Sequence, residues 1–347
     1  MLQTIRRERR KAAVADPVAA ARAIGLRYVR EMRVGFARTP NGIVDVDGKP
    51  LEDPEHLERI RSLVIPPAWE RVWICPLPQG HLQAVGYDAR GRKQYRYHPL
   101  YSSHRNQTKF SRMPEFGRVL PEIRSRVEAD LRKHGLPREK VLATVVRLLE
   151  TTCIRVGNLE YARENKSFGL TTMRDRHVDV HGAIMRFHFR GKSAQDHDIQ
   201  LRDKRLARIV KECQDLPGYE LFQYLDDAGE QHAVDSHDVN EYLKGISGGD
   251  FTAKDFRTWA GTRQAALELV ALGPGESETE KKRKIVAAVK SVAEKLGNRP
   301  ATSRKYYVHP VVLDSYANGS LFEFVNPVEG ELALPSDALH PTEEQVL

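Results

Sequence analysis

Several common architectures are missing from this chain of 347 residues. Its three cysteines, Cys75, Cys153 and Cys213, are odd in number and widely spaced, which gives neither a disulfide framework nor a zinc spacing; a reducing, intracellular compartment is expected. No apolar run reaches the roughly 18 residues of a membrane span, so no membrane partner is expected. The opening "MLQTIRRERRKAAVADP" is basic but lacks an apolar segment, and reads as a basic arm or first helix rather than a secretory leader. Aromatic residues make up only 7%. There is no P-loop Gly-Lys-Ser/Thr, no GxSxG elbow, no HExxH and no paired acidic motif, and the 13 histidines lack ligand spacing. Chemistry without a cofactor or metal is the expectation.

What is present is positive charge. The net charge is +8 and the pI is near 9.3, a bias toward a polyanionic partner. Residues 326–347 hold Glu329, Glu331, Asp337, Glu343 and Glu344 without Lys or Arg, so the other residues carry +13, five more than the whole-chain +8. Length alone favours two domains. Up to about residue 104 the pattern is short alternating strands between Gly and Pro breaks, as in "RVWICPLPQGHLQAVGYDARGRKQYRYHP". Beyond it come helical stripes such as Val141, Leu142, Val145, Val146, Leu148 and Leu149. One β island interrupts them: "AIMRFHFRGKSAQDHDIQL" predicts hairpin strands, three in all, with Lys192 in the second loop. Thr252 with Asp255 and Ser277 with Glu280 mark helix starts, and Gly297 marks a stop. "SRKYYVHP", residues 303–310, is expected to open a short helix that Pro310 interrupts or restarts. The fold class is therefore α+β. A basic arm (1–30) leads into a small antiparallel β domain (31–104), then a larger, mainly helical domain (105–325) holding a three-stranded sheet, and an acidic tail (326–347) expected to be poorly ordered.

Three cations stand in unusual places. Arg155 follows the apolar "LLETTCI", where a charge needs an anion or a route to water. Arg257 lies beside Phe256 and Trp259, and Lys192 sits in a hairpin loop. Singly, each reads as a capping, snorkelling or solvated side chain. Jointly they suit phosphodiester cleavage by a tyrosine. A phenol with pKa about 10 is ionised roughly once in a thousand at neutral pH. Two guanidinium forks can hold the non-bridging oxygens, and a lysine can protonate the departing 5′ oxygen.

These segments resemble the type IB DNA topoisomerases of the poxvirus and bacterial kind. "CIRVGNLEYARENKSFGLTTM" is similar to the family's first arginine motif, "FRGKSAQDHDI" to its lysine hairpin, "KDFRTWAGT" to its second arginine motif, and "LGNRPATSRKYYVHP" to its nucleophile segment. "GYDARGRKQYRYHP" resembles a DNA-facing segment of the N-terminal domain. The resemblance implies catalytic roles for Arg155, Lys192, Arg257 and Tyr307, and DNA contacts by Gln94, Tyr95, Tyr97 and Tyr161. Asn298 stands nine positions before Tyr307, where many members have a histidine; its amide can donate to a phosphate but cannot carry a proton. His309 does not match that position, and choosing Tyr306 would put Gly297 in the donor slot. The resemblance further implies duplex DNA as partner, a monomer closing as a clamp, a nucleoid-associated cytoplasmic protein, and relaxation of supercoils through a 3′-phosphotyrosyl intermediate without ATP. A tyrosine recombinase shares the chemistry, and a non-catalytic duplex-binding protein is the other alternative.

Overall fold

The computed structural model describes residues 17–30, 32, 34–89, 91–325 and 343, with the side chains of 161 and 324 excepted. The chain divides into two compact units, Met1–Ser111 and Arg112–Leu347. The N-terminal arm before residue 17 lies outside the described residues, as does the acidic tail apart from Glu343.

The first unit runs α1 (Pro17–Ala23), β1 (Phe36–Thr39), β2 (Gly42–Val44), α2 (Pro54–Ser62), β3 (Glu70–Ile74), β4 (Leu82–Tyr87), β5 (Lys93–Tyr97) and α3 (Pro99–Ser111). Its strands form one antiparallel sheet in the order β2-β1-β3-β4-β5. Phe36, Ile60, Val72, Ile74 and Ala84 make a core between the sheet and α2. Buried His81 stacks on Tyr28 with ring centroids 4.0 Å apart, and accepts from the Val29 N–H at 2.9 Å.

The second unit is mainly helical: α4 (Met113–Leu131), α5 (Arg138–Thr152), α6 (Leu159–Asn165), β6 (Val178–His181), β7 (Ile184–Arg190), β8 (Asp196–Arg202), α7 (Lys204–Gln214), β9 (Gln223–Leu225) and β10 (Gln231–Ala233). Then follow α8 (Ser236–Ser247), α9 (Ala253–Leu272), α10 (Glu278–Leu296), α11 (Pro300–Tyr306), α12 (Pro310–Asn318) and α13 (Leu321–Phe324). β6, β7 and β8 form the expected three-stranded antiparallel sheet. Residues 141–146 of α5 are all buried, so its apolar character runs around the helix rather than along one stripe. The helix starts read from the sequence are present: the Asp255 carboxylate accepts from the Thr252 N–H at 2.8 Å, and Ser277 Oγ accepts from the Glu280 N–H at 3.2 Å. Gly297, at φ +55°, closes α10 in the left-handed conformation that glycine adopts at least cost.

One local expectation is corrected. "SRKYYVHP" closes a helix instead of opening one. α11 begins at Pro300, whose fixed φ suits the first helical turn, and Tyr307 leaves the helix at φ −133°. A second helix begins at Pro310, its first turn capped by His309 Nδ1, which accepts from the Val311 N–H.

Two ion-pair groups brace the helices. Glu343 is buried (4% exposed); its carboxylate accepts both Arg124 Nη groups, at 2.9 and 3.0 Å, and the Trp259 indole at 3.1 Å. It borders a cavity of about 350 Å³ shared with Arg147, Arg263 and Lys295. Glu128 of α4 takes both prongs of Arg205 at 2.5 and 2.6 Å, and that fork, helped by Arg132 and Arg147, pulls its pKa from 4.5 to about 2. A depressed carboxylate pKa adds stability that is complete above about pH 4.5 and lost as pH falls toward 2. Glu128→Gln should therefore lose roughly 2 kcal/mol in urea unfolding at pH 7, and the gap to wild type should close as pH approaches 2. Parallel pH–stability curves would contradict the assignment.

Candidate active site

Arg155 lies in the loop that leaves α5. The helix ends at Cys153 in a left-handed conformation (φ +56°), turning the chain sharply before Arg155. The Arg155 carbonyl accepts from the Leu170 N–H at 2.9 Å, and that of Val156 from the Thr171 N–H at 2.6 Å. Gly169 permits this approach: a Cβ there would lie 2.5 Å from the Arg155 carbonyl oxygen. The backbone thus fixed sends Arg155 toward the end of α10, where Nη2 donates to the Gly297 carbonyl at 3.1 Å and to Asn298 Oδ1 at 2.5 Å.

Arg257 arrives from the second turn of α9 and is only 4% exposed. Nη1 donates to the Cys153 carbonyl and Nη2 to the Leu296 carbonyl at 2.7 Å. Its guanidinium carbon stands 5.4 Å from the centre of the Tyr307 ring. The nucleophile candidate is itself held by α9. The Tyr307 carbonyl accepts from Thr262 Oγ1 at 3.3 Å, and a Cβ on Gly261 would come within 2.6 Å of that carbonyl. Tyr307 is half-buried against the core, whereas Tyr306 is 38% exposed beneath Lys305.

Lys192 occupies the β7–β8 hairpin loop and is exposed. The next two residues, Ser193 and Ala194, have φ of +65° and +60°, the backbone of a primed hairpin turn that usually selects Asn or Gly. Such conformations cost non-glycine residues of order 1 kcal/mol each and recur at functional sites.

The electrostatics of the group are those of an unneutralised cationic site. Burial, then the Arg257 charge, lowers the Arg155 pKa, while Tyr307 opposes the shift. Although Lys192 as a residue is exposed, partial desolvation of its amine beside the cluster, then the Arg155 charge, lowers its pKa, again with Tyr307 opposing. His197, on β8, is pushed down by desolvation, then Arg155 and Arg257. Neither arginine has a carboxylate partner among the described residues; both bond to carbonyl or amide oxygens. Arg257 Nε, Asn298 Nδ2 and His197 Nε2 are buried without a hydrogen-bond partner among the described residues. The two unpaired donors, Arg257 Nε and Asn298 Nδ2, together with this positive charge call for an incoming anion.

Arg155, Lys192, Arg257, Asn298 and Tyr307 are thus brought together in the second unit. The expected DNA contacts divide differently. On β5, Tyr95 (45% exposed) and Tyr97 (36%) stack on one face with ring centroids 6.0 Å apart and Lys93 over Tyr95. Gln94 is on the opposite face, where its amide donates to Asp88 Oδ2 at 3.0 Å, because successive strand residues alternate. Tyr161 belongs to α6, and its side chain lies outside the described residues. Gly261, Thr262 and His197 are the neighbours that motif reading missed. For His197 a signal existed: it shares β8's inward phase with Ile199 and Leu201.

Comparison with known proteins agrees with this geometry. Residues 93–320 match the family described as eukaryotic DNA topoisomerase I, catalytic core, and residues 43–88 match the bacterial DNA topoisomerase IB N-terminal domain. The DNA topoisomerase 1B of Acanthamoeba polyphaga mimivirus is 33% identical over 273 residues, covering 77% of this chain and 81% of the relative. The DNA topoisomerase 1B of vaccinia virus (strain Copenhagen) is 23% identical over 286 residues, covering 82% and 87%. Joined to a cationic cluster built around a half-buried tyrosine, these matches mean that the chain belongs to the type IB DNA topoisomerases.

Proposed function

We propose that the protein relaxes supercoiled duplex DNA through a covalent tyrosyl intermediate. The Tyr307 oxygen attacks a backbone phosphorus, and the bond from phosphorus to the 5′ oxygen breaks. The phenolic proton leaves to solvent, and Lys192 gives one to the departing 5′ oxygen. Arg155, Arg257 and Asn298 hold the non-bridging oxygens, where negative charge grows in the pentacoordinate transition state. The 3′-phosphotyrosyl bond keeps the energy of the phosphodiester, so the 5′ hydroxyl can reverse the reaction after the free end has turned, without ATP. The protein acts as a monomer, its two units closing on the duplex as a clamp, with Tyr95 and Tyr97 on the DNA side, at the nucleoid.

The observation that carries this reading is the pair of arginines with no carboxylate partner among the described residues, one of them over the Tyr307 ring. Purified protein should relax positive and negative supercoils alike in EDTA without nucleotide. Failure with either sign would refute it, and strand exchange between two defined duplexes in place of relaxation would assign the chain to the recombinases.

A further inference from the structure

His197 is the chemically distinctive side chain of this neighbourhood that the reaction above does not use. It faces Phe189 across the β7–β8 ladder, with ring centroids 4.9 Å apart and planes 13° from parallel. Beyond Phe189 the imidazole is wedged between two glycines from separate parts of the chain. A Cβ on Gly191 would come within 2.6 Å of its Cδ2 and Nε2, and one on Gly297 within 2.2 Å of its Cε1. Gly191 immediately precedes Lys192, and Gly297 immediately precedes Asn298. Gly297 also supplies a carbonyl that Arg155 bonds.

The ring therefore sets the gap between the turn carrying the proton donor and the turn carrying a phosphate ligand. Local stability does not account for it. Nε2 is buried with no hydrogen-bond partner among the described residues, an arrangement that costs free energy. A carbocyclic ring would stack on Phe189 without that cost, but its extra ring atom would press on the glycines. Lys192 has no side-chain hydrogen bond or ion pair among the described residues and sits in a short loop whose ends are joined by the Gly191 N–H donating to the Gln195 carbonyl at 2.7 Å. The loop's position over the site therefore depends on what it rests against.

We propose that His197 is a positioning residue for proton transfer: wedged between Gly191 and Gly297, it holds the Lys192 loop in register with the Asn298 turn. The proposal rests on reading Lys192 as the proton donor. A displacement near 1 Å can cost about 100-fold in rate, so His197→Ala should slow single-turnover cleavage about 10- to 100-fold. Gly191→Ala should do the same by pushing a methyl group against the imidazole.

The leaving group separates this role from a general loss of structure. A substrate whose 5′-bridging oxygen is replaced by sulfur departs as a thiolate and needs no proton. On that substrate His197→Ala and Gly191→Ala should regain most of their lost rate, as Lys192→Ala should, whereas Asn298→Ala should regain little. In addition, the Gly191→Ala penalty should shrink in the His197→Ala background, where the methyl group has room. If Lys192→Ala is rescued by sulfur but His197→Ala and Gly191→Ala are not, the positioning role is overturned while the donor survives. If Lys192→Ala is itself not rescued, the donor assignment falls, and the positioning role with it. Wild-type rates for both His197→Ala and Gly191→Ala on the ordinary substrate would also overturn it.

Discussion

Tyr307→Phe should bind duplex DNA as the wild type does and form no covalent adduct, with relaxation reduced by at least about 10⁴-fold. The substitution deletes one oxygen. The ring that packs against the core and lies 5.4 Å from the Arg257 guanidinium stays. The carbonyl contacts with Thr262 and Gly261 belong to the backbone, and persist as well. The loss can therefore be charged to the missing nucleophile, and denaturing gels that trap protein on nicked DNA measure it directly. Tyr306→Phe is the control. That residue is 38% exposed, so it should leave adduct formation near wild type; an adduct that disappears in Tyr306→Phe and survives in Tyr307→Phe would exchange the two tyrosines.

Arg257 should give the second-largest effect, and the choice of substitution matters. Arg257→Lys keeps the charge but not the planar fork, which at present spans two carbonyls, those of Cys153 and Leu296. Removing one preorganised charge-stabilising donor costs roughly 10² to 10³ in rate. That loss is expected in single-turnover cleavage, with DNA affinity little changed. Arg257→Ala should lose as much and also unfold more easily, because two buried carbonyls lose their donor at about 1–3 kcal/mol each. Thermal melting and cleavage measured on both variants separate the effects: the lysine variant should stay folded and slow. A fast Arg257→Lys would mean that positive charge alone, not geometry, is what the phosphate needs.

The sheet and helices were legible because burial imposes a period. Alternation in "IMRFHFR" fixed β7, and the Thr252–Asp255 and Ser277–Glu280 pairs fixed two helix starts. The hairpin carrying Lys192 followed from the same alternation. The strained turn inside it did not, since Ser193 and Ala194 are poor advertisements for a left-handed backbone. The local structure around Tyr307 was misread because Pro300, seven residues earlier in the chain, starts the helix that "SRKYYVHP" ends. The resemblance named Gln94 together with Tyr95 and Tyr97 as DNA contacts, and strand alternation places its side chain on the face opposite theirs. The inward phase of His197 on β8 was legible, but its role as a wedge was not. Its contact with Gly297 joins residues 100 positions apart, and no local pattern encodes a wedge between them.

The seat of Tyr307 on α9 has a mechanical side. In the covalent state proposed above, one end of the broken strand would hang from the Tyr307 side chain, so any tug from a swivelling duplex would reach the protein at that backbone position. Thr262 takes hold there twice, donating to the Tyr307 carbonyl at 3.3 Å and accepting from the His309 N–H at 3.1 Å, while Gly261 lets the two segments touch. The pull passes into a 20-residue helix that also carries Arg257. On the proposed mechanism, nucleophile and arginine would then yield together under tension, and the geometry needed for resealing would travel with the strand to be resealed.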